Sequence, residues 1–314
     1  MQVEQPPRAD VESVVVAVLT YRRPDDLAAI LPELVRQATL ASRPARVLVV
    51  DNDPEAAARQ TVVEGWPDVQ YVHEPRPGIA AARNRALAEA GRDDLLVFVD
   101  DDERPVPDWL DLLLAVWVER RCAAVVGPVV SEFAVEPSAW VSAGRFFDRR
   151  RLPTGTAVQV AATNNLLLDL AQVRSAGLTF DERFGLSGGS DTLFTRQLHE
   201  SGGAMLWCDE ALVVDVVPAA RVERRWVLAR AFRSGNGWTR TSLQLSGNAA
   251  GRLGVRVRLL GAGAVRVLGG GARALVGLVR RDVGDQARGV RTLARGAGMV
   301  AGTWGYVYSE YKRP

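Results

Sequence analysis

The chain has 314 residues, of which 47% are hydrophobic and 24% charged, which excludes an intrinsically disordered protein. Its length allows one large domain, or one domain with an appendage, to bury a full core. The net charge of +2 is uneven, because the residues from Arg252 onward carry about +9 and the preceding ones about −7. Cys122 and Cys208 form neither a metal-ligand spacing nor a disulfide framework, and the polar start lacks a secretory signal, so we expect a cytoplasmic protein.

Four apolar, β-branched segments alternate with helical patterns in the first third of the chain. Such continuous apolar runs are typical of strands that are buried on both faces of a parallel sheet. We therefore predict an α/β fold with a Rossmann-like, doubly wound and mostly parallel sheet, whose functional residues gather at strand ends. The predicted strands are Val14–Leu19, Arg46–Val50, Val69–Val72 and Leu95–Val99, with later ones at Ala123–Gly127 and Val158–Ala162.

Four consecutive acids, Asp100, Asp101, Asp102 and Glu103, follow the fourth predicted strand. Their negative charges repel each other, and a divalent cation with oxygen ligands would stabilise them. A solvated turn is the alternative, since Asp is common in turns and charge runs usually face water. This stretch alone leaves both interpretations open.

Two later segments are candidates for binding or catalysis. Phe133–Pro153 has no regular pattern and contains Trp140 and four arginines, so we interpret it as a binding loop or lid near the acceptor. Gly185–Ser190 is rich in glycine and leads into a predicted helix that begins near Asp191. Asp191 either caps this helix or presents a carboxylate as a general base, and the residues alone do not decide between these roles.

Six short segments, in this order, match a pattern that is known from one protein family. They are Thr20–Arg23, Val49–Asn52, Gly78–Asn84, Asp100–Asp102, Asn164–Asn165 and Gly188–Asp191. Together they resemble the inverting glycosyltransferases of family 2, which have the GT-A fold, over about residues 13 to 240. The resemblance implies a metal-dependent enzyme that transfers a sugar from a nucleoside-diphosphate donor, with UDP as the expected nucleotide.

The resemblance also implies roles for the residues at the donor site. Asp51 would accept a hydrogen bond from the base, which Tyr21 would flank, and Asp100 would contact the ribose. Arg22 and Arg83 would face the diphosphate, because planar guanidinium groups suit phosphate oxygens. Asp102 would be the direct ligand of Mg²⁺ or Mn²⁺. The full set of predicted donor-binding residues is Thr20, Tyr21, Arg22, Asp51, Arg83, Asp100 and Asp101.

On the acceptor side, the resemblance makes Asp191 the general base of a single displacement that inverts the anomeric configuration. One departure is that the family usually has Glu-Asp where this chain has Ser190-Asp191. The glutamine-led context of the processive members is missing, so we expect transfer of one sugar to a saccharide, lipid-linked or small-molecule acceptor. The predicted contacts to the acceptor or the transferred sugar are Asn164, Asn165, Gly189 and Trp140.

We predict a catalytic domain over residues 1–245 and a basic helical extension over 246–314. In the extension, arginines recur every seven residues, which predicts two helices with arginine stripes. Arg266 and Arg273 interrupt the apolar stretch Val255–Val279, and each would cost about 2.5–3.5 kcal/mol at a bilayer centre, so we expect no membrane span. The helices over 252–300 would lie on an anionic membrane at the inner face of the cell membrane, or pack on the catalytic domain.

Two other function classes use parts of the same pattern. A nucleotidyltransferase would also bind nucleotide and metal, but it would need a glycine-rich phosphate loop where this chain has Thr20–Pro24. A non-catalytic membrane-surface binding module would explain the departure at Ser190. Nucleic-acid binding is disfavoured, because the basic tail is interleaved with aliphatic residues and not with aromatic ones that stack on bases.

Overall fold

The computed structural model describes residues 12–309. Its strands are β1 (Val14–Thr20), β2 (Ala45–Asp51), β3 (Gln70–His73), β4 (Leu95–Asp100), β5 (Glu103–Pro105), β6 (Ala124–Val126), β7 (Val129–Phe133), β8 (Ala157–Val158), β9 (Asn165–Asp169), β10 (Met205–Trp207) and β11 (Val213–Val217). Its α-helices are α1 (Pro24–Leu40), α2 (Arg59–Gly65), α3 (Ile79–Glu89), α4 (Trp109–Arg120), α5 (Ala139–Ala143), α6 (Leu170–Ser175), α7 (Ser190–Glu200), α8 (Arg224–Leu245), α9 (Ala249–Arg280) and α10 (Val283–Thr303).

The centre of the fold is an eight-stranded sheet with the strand order β3-β2-β1-β4-β9-β6-β10-β8. Strands β1 to β4 run parallel, whereas β9 runs antiparallel to both of its neighbours. All seven residues of β1 are buried, as its continuous apolar run predicts. The predicted mostly parallel α/β fold is confirmed. Because parallel strands end at one edge, Thr20 pairs with Asp51 while Leu19 pairs with Asp100, and the predicted donor residues lie side by side.

The predicted strands differ from the structure at β8, and five short strands, β5, β7, β9, β10 and β11, were not predicted. The predicted strand Val158–Ala162 contributes only its first residue to β8, because Ala161 instead forms hydrogen bonds with the Thr195 hydroxyl of α7. Strand β9 was not predicted, because a run as short as Leu166–Leu168 fits a buried strand and a buried helix equally well. Its insertion between β4 and β6 places Asn164 next to the acids that follow β4.

A second sheet with the strand order β5-β11-β7 lies beyond the acids. Its pairing places Asp215 of β11 opposite Glu103 of β5. The last of the four consecutive acids is therefore held by backbone hydrogen bonds, and a second acid lies across from it. This arrangement fixes the position of the chain immediately after Asp102.

Helices α8, α9 and α10 pack together, and glycines form the contact between α9 and α10. Gly263, Gly270 and Gly277 are buried at seven-residue intervals along α9. A Cβ atom added at Gly270 would lie 2.5 Å from the backbone nitrogen of Leu293, so only glycine allows the two backbones to approach this closely. The predicted C-terminal helical extension is confirmed.

Helix α8 belongs to the same packing unit as α10. The Asn236 amide donates to the Tyr306 carbonyl over 2.9 Å, and the Thr239 hydroxyl donates to the Met299 carbonyl over 3.2 Å. A domain boundary after residue 245 would therefore separate α8 from a helix against which it packs. That boundary stays a prediction.

Opposite the glycines, α9 presents a broad apolar surface to solvent. Leu268 is 74% exposed and Val279 is 77% exposed, although both are large apolar side chains. Arg266, Arg273 and Arg280 are exposed on the same helix. We call this surface the α9 apolar face, and it consists of Leu253, Val257, Val265, Leu268, Leu275, Val276, Leu278 and Val279.

Within residues 12–309, α9 is the helix that is long and apolar enough to cross a membrane. It has 32 residues, and its most apolar 18-residue window has a mean hydropathy of 1.4 and is 17% buried. Length and composition do not distinguish a membrane span from a helix that lies on a membrane surface. The expectation that α9 does not span the bilayer stays a prediction.

Candidate active site

The four consecutive acids, residues 100–103, lie at the carboxyl end of β4 and in the turn that leads to β5. Arg23 contacts two of them, because its Nη1 donates to Asp101 over 3.0 Å and to Asp102 over 2.8 Å. Asp102 also accepts a hydrogen bond from Arg221 Nη2 over 3.1 Å. Two arginines from distant parts of the sequence therefore compensate the charge of Asp102.

Burial and mutual repulsion raise the pKa of the other three acids. The pKa of Asp100 rises to about 7, chiefly because the carboxyl group is desolvated and then because of the charge of Asp102. Desolvation also raises the pKa of Asp101 to about 6. The pKa of Glu103 lies well above its usual value for the same reason, and the charge of Asp100 adds to the effect. The site thus concentrates carboxyl groups where additional positive charge is stabilising.

The acid cluster suits a hard divalent cation that is shared with a substrate. Its donors are carboxylate oxygens, which Mg²⁺ and Mn²⁺ prefer. The Asp102 side chain is 16% exposed, whereas that of Asp101 is 5% exposed, so Asp102 is the more accessible of the two. Within residues 12–309, no three Asp, Glu, His or Cys side chains form a complete metal cage. A cation here would complete its coordination with substrate oxygens, as Mg²⁺ commonly does with phosphates.

The loop after β1 contacts both neighbouring strand ends. The Thr20 hydroxyl donates to Asp101 over 2.8 Å, and Arg22 Nε donates to Asp53 over 3.2 Å. Arg22 has a φ of +55°, a conformation that side-chain-bearing residues rarely adopt. Its guanidinium lies 5.4 Å from the centre of the Tyr21 ring. Five other residues with a side chain adopt this conformation in the described part of the chain, and the role of this loop in binding the donor stays a prediction.

Asp51 is completely buried, and its carboxylate is bonded within the protein. Its oxygens accept hydrogen bonds from the backbone of Asp53 at 2.9 Å, the backbone of Ala58 at 2.9 Å and the Tyr71 hydroxyl at 3.0 Å. Burial, followed by the charge of Asp51, raises the pKa of Tyr71. These bonds shape the loop after β2, and a direct contact between Asp51 and a nucleotide base stays a prediction.

Arg83 lies between Asp100 of the acid cluster and the first residue of α7. It is 9% exposed, and its Nη1 donates a hydrogen bond to Ser190 Oγ over 2.7 Å. Its charge also lowers the pKa of Asp100, against the larger effect of burial. Arg83 forms no ion pair with a carboxylate of the described residues, so its positive charge is available to an anionic ligand.

Two glycines determine how the chain enters α7. Gly188 and Gly189 have φ values of +75° and +94°, which glycine adopts readily and other residues do not. After this turn, Ser190 is completely buried while Asp191 is partly exposed. Asp191 Oδ1 accepts a hydrogen bond from the Thr192 amide over 2.7 Å. Asp191 therefore presents an accessible carboxylate next to Ser190, the hydrogen-bond partner of Arg83. A carboxylate in this position can accept a proton from a hydroxyl group bound nearby.

Helix α8 contacts the same loop from the C-terminal side. Arg240 donates to the Ser187 hydroxyl over 2.6 Å, and its guanidinium lies 4.6 Å from the centre of the Phe184 ring. From α7, Arg196 donates to Ser242 of α8 over 2.9 Å. The loop that presents Asp191 is thus held between the central sheet and the C-terminal helices.

Comparison with known proteins identifies the family. Residues 15–169 match the model of glycosyl transferase family 2. The succinoglycan biosynthesis protein ExoM of Rhizobium meliloti is 36% identical over 225 residues, which are 70% of this chain and 72% of ExoM. The chain belongs to glycosyltransferase family 2. The prediction that this protein is a glycosyltransferase is therefore confirmed.

Solved structures with the GT-A fold resemble this family 2 glycosyltransferase. The mannosyltransferase PcManGT from Pyrobaculum calidifontis, in complex with GDP-Man and Mn²⁺, has a TM-score of 0.58 and 16% identity, covering 96% of this chain and 91% of PcManGT. GalNAc-T7 with UDP, GalNAc and Mn²⁺ has a TM-score of 0.51 and 13% identity, covering 74% of this chain and 48% of GalNAc-T7. At these identities the likeness supports the fold alone.

The two predicted asparagines of the glycosyltransferase have different environments. Asn164 is partly exposed and its amide donates to Glu103 over 2.7 Å, so it lies beside the acid cluster. Asn165 is buried, and its amide oxygen accepts from the Trp109 indole while its amide nitrogen donates to the carbonyls of Pro128 and Ala211. Asn164 can reach a substrate, whereas Asn165 uses its polar atoms to join structural elements. Their predicted contacts with sugar stay predictions.

Trp140 of the glycosyltransferase lies in a small core between α5 and the C-terminal helices. It is 6% exposed, stacks on Phe146 with the ring centres 5.3 Å apart, and lies under the Arg224 guanidinium at 4.9 Å. Val227 and Ala287 belong to the same core. Trp140 therefore attaches the predicted acceptor loop to the helices, and its contact with an acceptor stays a prediction.

Several contacts in the site of the glycosyltransferase escaped the sequence analysis. The contact of Arg221 with Asp102 was not predicted. Arg149 belongs to the predicted binding loop, but its ion pair with Asp215 on the second sheet was not predicted. Arg23 was part of a recognised segment, but its contacts with two acids were not predicted. A signal for Arg23 existed, since it lies one residue after Arg22 at a strand end, whereas nothing in the sequence places Arg221 near residue 102.

Proposed function

We propose that the protein is an inverting, metal-dependent and non-processive glycosyltransferase. It transfers one sugar from a nucleoside-diphosphate sugar, with UDP as the expected nucleotide, to an acceptor hydroxyl. Asp191 is the general base, and Asp102 is the protein ligand of Mg²⁺ or Mn²⁺. Family membership favours sugar transfer over the nucleotidyltransferase and the non-catalytic binding module.

The observation that carries this proposal is the position of Arg83 between the acid cluster, residues 100–103, and the start of α7. We call residues 185–189, the loop that leads to the proposed general base Asp191, the base loop. The Arg83 guanidinium interacts electrostatically with Asp100 and donates to Ser190, the residue before Asp191. A donor diphosphate held by Arg83 and by a cation on the acid cluster would place its sugar near the Asp191 carboxylate. Asp191 would accept the proton of the attacking hydroxyl as the bond to the leaving diphosphate breaks.

The second requirement of this reaction is that the negative charge on the leaving diphosphate be stabilised. Bound Mg²⁺ or Mn²⁺ would neutralise part of it and so stabilise the departing group. Arg23 and Arg221, which now contact Asp102, can donate hydrogen bonds to phosphate oxygens as well as to carboxylates. The Mn²⁺ in the complexes of PcManGT and GalNAc-T7 supports the choice of cation.

The proposed acceptor is an intermediate in the synthesis of a polysaccharide. ExoM is a succinoglycan biosynthesis protein, and its 36% identity supports a role for this chain in polysaccharide synthesis. We propose a saccharide or a lipid-linked saccharide as the acceptor, and a location at the inner face of the cell membrane.

The function is tested by screening nucleotide sugars for protection against thermal unfolding, with and without Mn²⁺, since a ligand that binds the native state raises apparent stability. The donor so identified is then supplied with acceptor sugars, and the anomeric configuration of the product is determined by NMR. Protection that requires Mn²⁺ and an inverted product are expected. Retention of configuration would overturn the inverting mechanism, and absence of protection by every nucleotide sugar would overturn the donor class.

The α9 apolar face supports a membrane contact in addition to catalysis. Its leucines and valines are exposed, and arginines lie on the same helix, which combines apolar insertion with attraction to anionic lipids. Exposed Trp304 and Tyr306 follow α10, and such aromatic side chains favour the level of the headgroups. We propose that α9 lies in the plane of an anionic membrane.

This contact is tested with vesicles of neutral lipid and vesicles that contain an anionic lipid. The full chain is expected to sediment with the anionic vesicles at low salt and to be released partly as the salt concentration rises. Equal sedimentation with both kinds of vesicle would contradict the electrostatic part of the proposal. Resistance to alkaline extraction would show instead that α9 spans the bilayer.

A further inference from the structure

A cavity of about 250 Å³ lies at the carboxyl end of β6. Ligands of open α/β sheets bind at the carboxyl ends of the strands. One wall includes Thr192, the neighbour of Asp191, and another includes Asn164, which donates to Glu103. The cavity therefore adjoins the residues proposed to carry out the transfer, and it has room for a small group such as part of a sugar ring.

The charged residues that line this cavity are both arginines. Arg149 and Arg150 line it, and none of its lining residues is an Asp or a Glu. Arg149 forms an ion pair with Asp215, but its Nε is buried and has no hydrogen-bond partner. A buried guanidinium N–H without an acceptor is unfavourable, and an oxygen of a bound anion would supply the acceptor.

Arg150 differs from the other arginines of its segment in having no carboxylate partner. Arg145 pairs with Asp148 and Arg151 pairs with Asp209, whereas Arg150 forms no ion pair within residues 12–309. Its guanidinium instead lies 5.2 Å from the centre of the Trp207 ring and reaches the Val160 carbonyl at 3.4 Å. An arginine held against an indole ring at the wall of a cavity presents its remaining N–H groups to a ligand.

From these observations we infer that the cavity binds the carboxylate of an acidic sugar, a uronic acid unit, through Arg150 and Arg149. Planar guanidinium groups match carboxylates with paired hydrogen bonds. Asn164 and Thr192 add neutral groups that suit sugar hydroxyls. This inference rests on the proposed function, because it assigns the cavity to a sugar at the site of transfer. The acidic sugar is either the one carried by the donor or the accepting unit, and both present the same carboxylate.

Calorimetric titration of the full chain separates these two sources. In the first arm, UDP-glucuronic acid and UDP-glucose are compared in the presence of Mn²⁺. In the second arm, methyl glucuronide and methyl glucoside are titrated into protein saturated with UDP and Mn²⁺. In one of the two arms, the acidic ligand is expected to bind about tenfold more tightly than the neutral one, as the loss of one charge-assisted hydrogen bond predicts.

Arg150→Gln is expected to remove this preference, and Arg150→Lys to retain part of it. Arg151→Gln is the matched control, because Arg151 is the adjacent arginine and pairs with Asp209 outside the cavity. Arg150 is exposed and has no ion pair within residues 12–309, so its replacement is expected to leave the fold intact, which the thermal unfolding temperature verifies.

Equal affinity for acidic and neutral ligands in both arms would overturn the inference, as would a preference that Arg150→Gln leaves unchanged. Binding of UDP alone with Mn²⁺ is measured separately and tests the proposed donor site. If UDP does not bind, UDP is not the nucleotide, and if no other nucleoside diphosphate binds either, the proposed donor class fails. The two methyl glycosides titrated into nucleotide-free protein still decide whether the cavity recognises a carboxylate.

Discussion

Arg83 Nη1 donates a hydrogen bond to Ser190 Oγ over 2.7 Å, although 107 positions separate these two residues in the sequence. The contact joins helix α3, which follows the third strand, to the first residue of α7. Ser190 stands where the family usually has a glutamate, and it offers a neutral hydroxyl to Arg83. Within residues 12–309 Arg83 forms no ion pair, so its charge is available beside the proposed diphosphate site.

Ser190→Ala tests the structural part of this contact. The substitution leaves a buried, charged N–H group without its acceptor, and we expect the free energy of unfolding to fall by about 1–3 kcal/mol. Urea denaturation measures the change. Ser201→Ala is the control, since Ser201 is exposed at the end of α7, and its effect is expected to stay within about 0.5 kcal/mol. Equal stability of the two variants would show that Arg83 finds another acceptor.

Asp191→Asn tests the general base. The amide keeps the shape of the side chain but cannot accept the proton, so the rate of transfer is expected to fall by about 10²–10⁴-fold. Binding of the nucleotide should stay within about twofold, because Asp191 lies on the acceptor side of the proposed reaction. Both quantities are measured on the same preparation, and a parallel loss of transfer and nucleotide affinity would contradict the assignment.

Asp102→Ala tests the metal ligand. Removing the accessible carboxylate is expected to abolish the part of nucleotide binding that depends on Mn²⁺, while binding without metal is retained or strengthened by the released Arg23 and Arg221. Calorimetric titration with and without Mn²⁺ makes the comparison. Asp68→Ala, at an exposed position outside the acid cluster, is the control. An unchanged response to Mn²⁺ would place the metal elsewhere.

The α9 apolar face is tested by surface substitution. Deleting the tail would uncover the α8 surface that packs on α10, so a triple change of Leu268, Leu275 and Val279 to Gln is preferable. We expect binding to anionic vesicles to weaken by about tenfold or more, because three exposed apolar side chains can no longer insert. Sedimentation with vesicles measures the change.

The matched control for this variant changes three exposed apolar residues of the catalytic domain to Gln. Leu40, Val63 and Val118 are 66%, 55% and 38% exposed and lie on helices α1, α2 and α4. Their substitution should leave vesicle binding unaltered. A similar loss in both triple variants would indicate a nonspecific loss of surface hydrophobicity and would contradict a dedicated membrane face.

The close contact between α9 and α10 is tested by substituting two adjacent glycines of α9. A Cβ at Gly270 would lie 2.5 Å from a backbone nitrogen, whereas one at Gly269 would meet nothing within 4 Å. Gly270→Ala is therefore expected to destabilise the protein by about 1–3 kcal/mol through overpacking. Gly269→Ala should instead stabilise it by up to about 1 kcal/mol through helix propensity. Thermal unfolding of both variants should shift in opposite directions, and equal shifts would argue against the close contact.

The sequence predicted those parts of the fold that depend on a local pattern of residues. Continuous β-branched runs such as Val14–Leu19 predicted buried parallel strands, and the acids after β4 were expected at the functional edge of the sheet. The short run in β9 has no distinguishing period, and its antiparallel insertion depends on pairing with strands that are distant in sequence.

The candidate site was predictable only in part, because several of its contacts join distant segments. Asp102 was singled out for its position in the acid cluster, but its contact with Arg221 spans 119 positions and has no local signal. Asn164 and Asn165 are identical neighbours in sequence, yet one lies beside the acids and the other is buried among backbone carbonyls. Asn165 is the first residue of β9 and Asn164 belongs to the turn before it, so the two could be distinguished only once the start of this strand was known.

The contact of α8 with the base loop has a mechanical consequence. Arg240 holds Ser187, and α8 continues as one uninterrupted helix of 22 residues, about 33 Å long. If α9 lies on a membrane as proposed, helix α8 would hold the Asp191 carboxylate at a nearly constant distance from the lipid surface. An acceptor anchored in the same membrane would then have to present its hydroxyl at that distance.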